Sequence, residues 1–574
     1  MEGRLFFEFL QVAIGNRESL SRELSDNEWQ DIFRLLKEHA LIGVGFSAVE
    51  RLHAKGVVCP AALRMQWMAL ALQIEKRNAL LNEQCKKLAK LYEHDGLSTC
   101  ILKGQGNCLN YPEELRMRRQ CGDIDVWTTL MNDERLRIND YLHTEDRERH
   151  GCPQADYLRE QQLFTHCQYK EEFIKLKQVP AIGQQLKEKN IDPLIAQMNT
   201  DGCPQADVSS ERELPRIIRK LSINSGAHQA KASDREFKEI GPQADGGIAI
   251  AVQTGKNEVE YVEYHGRRAV IEYVKMQHRI DGYFEKPVVR YHHIEAPKID
   301  GTEVEVHFRP CYANSPLRNW RMQRWFENHA DVCMKNKTHM GFAVPTASVN
   351  VVYLMCHLFT HYFDEGIGLR QLMDYYFALR VWHNDVTECK ELQSQGMWSE
   401  GLGTPVMSKE EVMSVLRSFG MTKFAGAVMY VLQEAFENEE CLLELEMRNE
   451  KLGIERELPR IDRELKEIGP QADDMGEQQL SSIGQQLKEK CVCEPWMICK
   501  PNEKEGKKLL EEIMKGGNFG QYDTRDAALK KGGMVKHGLW KLKRVIRLVR
   551  SYPEEALWEP VFRVYHLGWR MIHG

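Results

Sequence analysis

The chain has no apolar run of the ~18 residues that a membrane-spanning helix needs. Its longest apolar stretch, 349–363, is shorter and carries His357 and His361. A dominant charge is also missing. Lys and Arg number 78 against 84 Asp and Glu, a net charge of −6. A chain-wide nucleic-acid surface is therefore excluded, and a nucleic acid is not the expected partner. The amino-terminal stretch is apolar at Leu5, Phe6, Phe7, Phe9, Leu10 and Val12 but holds Glu2, Arg4 and Glu8. It has neither a basic leader nor a small-residue cleavage site, so it does not read as a signal peptide. Cysteine is plentiful, at 16 residues, but the spacing of a secreted disulfide framework is absent. Reduced thiols in a cytoplasmic protein are expected. Cys491, Cys493 and Cys499 lack the second Cys or His pair of a zinc site. His-Glu-x-x-His is absent too, so a zinc protease has no support.

What is present is an ordinary globular composition, with 42% hydrophobic and 28% charged residues. A length of 574 residues allows two to four domains. Residues 1–95 read as helical, because Leu20, Leu24, Trp29, Ile32, Phe33 and Leu36 recur at helical spacings. A second such stripe runs from Leu63 and Trp67 through Leu81 to Leu88 and Leu91. The pattern then changes. Residues 98–102 read as a buried strand, Lys103-Gly104-Gln105-Gly106 breaks it, 107–115 is the expected helix, and 122–127 is a second strand. After Val259 come an amphipathic helix at 268–277 and a strand-like run at 288–294 that contains His292 and His293. Asp300-Gly301 is a hairpin signal. Residues 303–308 alternate, with Val304, Val306 and Phe308 on one face and Glu303, Glu305 and His307 on the other. Residues 345–450 and 504–574 read as helical again, punctuated by Pro553 and Pro560.

Two stretches stand apart. Gly-Cys-Pro-Gln-Ala-Asp occurs at 151–156 and 202–207, and Ile-Gly-Gln-Gln-Leu-Lys-Glu-Lys at 182–189 and 483–490. The copies are unequally spaced and shuffled in order, which a solenoid would not be. They read as two repetitive insertions, 133–247 and 453–490, expected to be disordered or marginally helical.

The strongest chemical signal is Gly122-Asp123-Ile124-Asp125-Val126. Carboxylates two residues apart on a strand project from one face and repel, so a cation between them stabilises the pair. Hard oxygen ligands suit Mg²⁺ or Mn²⁺. Two solvated aspartates on an edge strand would carry the same spelling, so context matters. Glu305, on the alternating strand, supplies a third carboxylate. Three carboxylates around a divalent metal are what phosphoryl or nucleotidyl transfer needs. The Gly104 turn offers backbone N–H groups to phosphate oxygens, and Lys103, Arg116, Arg118 and Arg119 are nearby cations. His357, His361 and Glu365 fall at i, i+4 and i+8. They read either as a metal or acceptor site with Glu365 as base, or as a packed helix with internally bonded histidines. Arg370 and Asp374 have the spacing of a helix ion pair. The basic amphipathic run 539–550 reads either as a surface for an anionic partner or as a packed helix with a solvated basic face.

These residues carry a resemblance. Ile101-Leu102-Lys103-Gly104, Asn110-Tyr111-Pro112, Arg118 and Gly122-Asp123-Ile124-Asp125-Val126-Trp127, followed by Glu305-Val306-His307, resemble the bacterial uncharacterised nucleotidyltransferase family of the polymerase-beta-like superfamily. The stretch from His357 to Asp374 and Gly516-Gly517-Asn518-Phe519-Gly520 are similar to that family as well. The likeness covers most of 1–132, 248–452 and 491–574. One departure is the turn: Lys103-Gly104 stands where the superfamily usually has two glycines or Gly-Ser, and the spacer to the Asp-x-Asp is longer.

The resemblance implies an α+β fold, a small mixed nucleotidyltransferase-like sheet flanked by N-terminal and C-terminal helical regions. The expected segments are a helical region 1–95, core parts 96–132 and 248–312, the insertions 133–247 and 453–490, a helical domain 313–452 and a C-terminal helical region 491–574. The implied activity is Mg²⁺- or Mn²⁺-dependent transfer of a nucleoside monophosphate from a nucleoside triphosphate, ATP included, to a hydroxyl acceptor. Asp123, Asp125 and Glu305 would hold the metal, and Glu305 would help deprotonate the acceptor. Lys103, Gly104, Arg118 and Gly122 would contact the nucleotide, with His307, His357, His361 and Glu365 on the acceptor side. The acceptor is a small molecule, sugar or protein. The rival expectation is a catalytically inactive scaffold of the same fold.

Overall fold

The computed structural model describes residues 3–131, 247–253, 259–280, 287–394, 406–437, 494–525 and 534–573. The first repetitive insertion apart from Gly247, and the whole of the second, lie outside the described residues. The architecture is α+β.

Four helices open the chain: α1 (Gly3–Ile14), α2 (Asp26–Glu38), α3 (Ile42–Ala54) and α4 (Ala61–His94). Ser25 and Glu28 form a capping box that starts α2. Helix α4 has 34 residues and is ~51 Å long at 1.5 Å per residue. Its first half gives Leu63, Trp67, Ala71 and Ile74 to a large helical core, and its second half gives Leu81, Cys85, Leu88 and Tyr92 to the core under the sheet. One helix thus ties two cores together. Phe6, Phe9 and Leu10 of α1 are fully buried in the helical core.

The sheet follows. β1 (Leu97–Ile101) leads into two single-turn helices, α5 (Gln105–Cys108) and α6 (Glu113–Arg116), and then β2 (Ile124–Leu130). Pro112 splits the helix expected over 107–115 into these two turns, since the residue before a proline avoids helical backbone. A separate ribbon, β3 (Gly247–Gln253) with β4 (Val259–His265), runs into α7 (Gly266–Ile280). β5 (His293–Ile299) and β6 (Thr302–His307) complete the main sheet in the order β1-β2-β6-β5. β2 runs parallel to β6, and the other two pairings are antiparallel. Val126, Ile294, Val304 and Val306 face one core with α7 residues Val270 and Val274. The opposite pleat carries Asp125, Glu305 and His307 beside Trp127 and Cys100, which join the helical core.

Helices α8 (Pro316–Asn328), α9 (Ala330–Lys335), α10 (Ala347–Asp364), α11 (Leu369–Ser394), α12 (Lys409–Ser418), α13 (Thr422–Phe436) and α14 (Glu503–Gly516) build the helical domain. α10 and α11 pack together, and α11 also meets α5 at the sheet end. A 3₁₀ turn (Asn518–Gly520) precedes α15 (Met534–Leu548) and α16 (Pro553–His573). The basic run 539–550 packs Val545 and Leu548 into the core and leaves Lys543, Arg547 and Arg550 exposed, as a packed helix with a solvated basic face does, with exceptions on both faces. Arg544 is buried and donates to the Phe363 and Tyr362 carbonyls, and Lys541 pairs with Asp364, while Leu539, Leu542 and Ile546 are exposed. No described helix is long and apolar enough to cross a membrane.

Candidate active site

Lys103 stands just past the end of β1, where the strand delivers it to the edge of the sheet. Gly104 follows with φ 53° and ψ −113°, a conformation that glycine adopts readily. A Cβ there would lie 3.3 Å from the Asp123 carbonyl. The turn therefore runs against the Asp-x-Asp segment at the start of β2.

The parallel pairing of β2 and β6 sets Asp125 opposite Glu305 and Trp127 opposite His307. Lys103 Nζ lies 2.8 Å from Asp125 Oδ1. His307 Nε2 lies 3.0 Å from the same oxygen and 3.5 Å from Glu305 Oε2. Asp125, Glu305 and His307 each offer a ligand atom within 4.8 Å of the others. Asp125 and His307 are each 2% exposed. That much buried charge is tolerable only because it is paired.

The electrostatics follow from the pairing. The charge of Asp125, aided by burial, pushes the Asp123 carboxyl up to about 6. Burial favours neutral Asp125, but Lys103 and His307 more than offset it and hold the group below its ordinary value. Burial also opposes charge on Glu305, yet His307 and Lys103 draw it down to about 2. Lys103 is buried and still held above its usual range by Asp125, Glu305 and Asp123. Two adjacent carboxylates, one of them short of a countercharge, mark a place where a cation is favoured. The donor set is carboxylate oxygen with one imidazole, which fits a divalent metal.

Asp123, Asp125, Lys103, Gly104 and Gly122 line a small cleft. Helices α10 and α11 form its other wall with His357, Arg370 and Asp374, and Phe519 closes one side. Arg119 grips Asp374 through two contacts of 2.6 Å, and Tyr111 donates to the same carboxylate at 2.7 Å. Arg370 donates to the Gln120 carbonyl at 2.7 Å, and its Nε has no partner among the described residues.

The structure thus gathers Lys103, Gly104, Gly122, Asp123 and Asp125 at the cleft, with Glu305 and His307 against Asp125. His357 reaches the cleft wall. His361 lies one turn on, its ring 4.3 Å from His357 and 5.0 Å from Phe519. Burial holds the His357 imidazole far below its usual value and His361 down to about 4. Two residues are elsewhere. Arg118 is committed to Glu50, to Glu75 at 3.1 Å and to Ser47 at 2.8 Å. Arg119 supplies the cleft cation at that corner instead. Glu365 follows the last residue of α10, so the helical alignment with His357 and His361 stops short of it, and it lines a different cavity with Arg525 and Arg544. Asp374 pairs with Arg119 rather than with Arg370. The sequence reading gave no role to Asn107, Phe519, His292 or His293. Phe519 lay inside a quoted glycine-rich segment and the histidines inside a strand-like run, so the signals were present but pointed to no chemistry.

A family model described as an uncharacterised nucleotidyltransferase matches residues 25–189 and 263–397, more than half of the chain. The chain belongs to the uncharacterised nucleotidyltransferase family. Every residue just placed in this cleft lies within the matched segments, Phe519 excepted. No curated protein and no solved structure matches the chain.

Proposed function

We propose that this nucleotidyltransferase moves a nucleoside monophosphate from a nucleoside triphosphate to an acceptor hydroxyl and releases pyrophosphate, with a divalent metal. The observation that carries the reading is the β2–β6 register, which sets Asp125 opposite Glu305 and brings His307 and Lys103 onto the same carboxylate. Asp123, Asp125 and Glu305 would hold Mg²⁺ or Mn²⁺. That ion would neutralise the triphosphate and polarise the reacting phosphoryl group. Lys103 and the Gly104 turn face the cleft from the sheet side, and Arg370 faces it from α11, so the triphosphate oxygens meet cations from two walls. The Nε of Arg370 is buried and has no partner among the described residues. Arg119 is held in place by Asp374 and Tyr111 and adds positive potential without moving. His307 fixes the orientation of both Asp125 and Glu305, and Glu305 is the candidate base for the acceptor hydroxyl. Buried charge gathered at a cleft is the arrangement that transfer chemistry uses, and it supports the enzyme over the scaffold.

The test is transfer itself. Purified protein is incubated with Mg²⁺ or Mn²⁺, each α-labelled nucleoside triphosphate and cell extract as acceptor. Label transfer that disappears in an Asp123→Asn, Asp125→Asn double variant supports the reading and reveals the acceptor class. Absence of both transfer and metal-dependent triphosphate binding would favour the scaffold.

A further inference from the structure

Beside Glu305 and His307 lie two more imidazoles, His292 and His293, that the transfer reading leaves without work. His292 precedes β5, His293 opens it, and the antiparallel register places His293 opposite His307 at the end of β6. The rings of His292 and His293 are 4.4 Å apart, and they lie 5.3 and 5.2 Å from the ring of His307. His293 Nδ1 is 3.0 Å from His292 Nε2 and 3.4 Å from Glu305 Oε2. His307 Nε2 is 3.5 Å from that same oxygen. Each of the three histidines offers a nitrogen within 4.8 Å of the other two.

These separations have a chemical meaning. With ligands at ~2.1 Å from an ion, neighbouring donors in octahedral and tetrahedral shells lie ~3.0 and ~3.4 Å apart. The three successive separations, His292 Nε2 to His293 Nδ1, His293 Nδ1 to Glu305 Oε2 and Glu305 Oε2 to His307 Nε2, are 3.0, 3.4 and 3.5 Å. Imidazole binds an ion through a neutral ring nitrogen. The cluster also holds more polar nitrogen than the described residues satisfy. His292 Nδ1, His293 Nε2 and His307 Nδ1, the ring nitrogens opposite those at ligand spacing, are buried without a hydrogen-bond partner among them, so a rotation of each ring would present an unpartnered nitrogen to the cluster. Imidazole donors favour zinc-class ions, whereas an all-oxygen set favours Mg²⁺.

We propose that His292, His293, His307 and Glu305 form a second cation site that takes a zinc-class divalent transition ion, preferring Zn²⁺ and Co²⁺ to Mg²⁺. The site deepens the transfer reading and rests on it through Glu305 and His307, which it shares with the carboxylate site of Asp123 and Asp125. Its ion pins the Glu305 carboxylate.

The test uses the full chain, stripped with a chelator and free of nucleotide. Co²⁺ is titrated in and followed by its visible absorption, then challenged with Zn²⁺ and with Mg²⁺. One equivalent of Co²⁺ is expected, displaced by Zn²⁺ and not by equal Mg²⁺. His293→Gln is expected to weaken binding more than ~10-fold, since even outer-shell changes cost that much. His292→Gln, at the less buried position, is expected to do the same and serves where the first variant fails to fold. Asp123→Asn is expected to leave the spectrum in place. Binding that is unchanged in both histidine variants, or equal for Mg²⁺ and Co²⁺, overturns the site. Retained Co²⁺ binding in a protein with no transfer activity would sink the transfer reading and leave this one standing. Transfer without Co²⁺ binding would do the reverse.

Discussion

Lys103 and Arg119 show how single residues divide the labour of the cleft. Lys103 is surrounded by Asp125, Glu305 and Asp123, so it both offsets their repulsion and faces the cleft. Lys103→Met is expected to lower kcat/KM for the nucleoside triphosphate by ~10²-fold or more, the usual effect of removing a charge-stabilising donor. Steady-state kinetics check it, and an unchanged kcat/KM would remove Lys103 from the reaction. Arg119 does structural work. Its buried two-point pair with Asp374 also accepts the Tyr111 hydroxyl. Asp374→Ala strands a buried guanidinium, so a loss of ~3–5 kcal/mol of stability is expected in urea melts. A loss below 1 kcal/mol would mean that the pair is solvated. The sequence showed the Asp-x-Asp and Lys103 because short-range spelling carries them. It could not show that Arg119, and not its neighbour Arg118, faces the cleft. That choice depends on partners 255 positions away at Asp374 and 68 positions away at Glu50.

At the scale of elements, the parallel register of β2 and β6 sets Glu305 opposite Asp125, and a two-residue turn leads the chain from β5 into β6. Asp300 and Gly301 have φ of 48° and 80°, the left-handed pair of a tight hairpin whose twist matches its strands. A Cβ at Gly301 would meet nothing within 4 Å, so the cost of adding one is conformational alone. Gly301→Ala is expected to destabilise the protein by ~1–2 kcal/mol without a clash. Chemical denaturation measures this, and a neutral result would show that the turn has another conformation in solution. β6 was legible from its alternation, and the turn from Asp-Gly. β5 was legible only in part, as 288–294 against an observed His293–Ile299. Its second half contains Pro297 and an irregular register between Ala296 and Ile299, which an edge strand tolerates and a sequence pattern disguises.

At the scale of the whole molecule, the sheet is assembled from distant pieces. His307 and Asp125 are 182 positions apart, with the first repetitive insertion between them. Closing a longer loop adds little cost, because the cost grows only with the logarithm of length. This is why an insertion can separate β2 from β6 without preventing their pairing, and why the pairing partner could not be read from β2 itself. The helical regions were legible because periodicity is local. Their docking against the sheet was not, because it depends on long-range packing. That packing has a consequence for pH. His39 is enclosed between helices and accepts from the Leu369 N–H, and burial draws its imidazole down to about 4. His361 is drawn down to about 4 as well, by burial first and then by Lys103. In the unfolded chain each returns to about 6.5. Their folded values lie below the unfolded one, so the unfolded chain binds protons first as pH falls. Stability is therefore full above about 6.5 and is lost progressively toward 4, by at most ~3 kcal/mol for each ring. Melting temperatures measured from pH 7.5 to 4.5 are expected to fall steeply below pH 6.5. His39→Asn is expected to shift less over the same interval, because the substituted side chain takes up no proton. Equal slopes in the two proteins would show that His39 is already solvated in the native state.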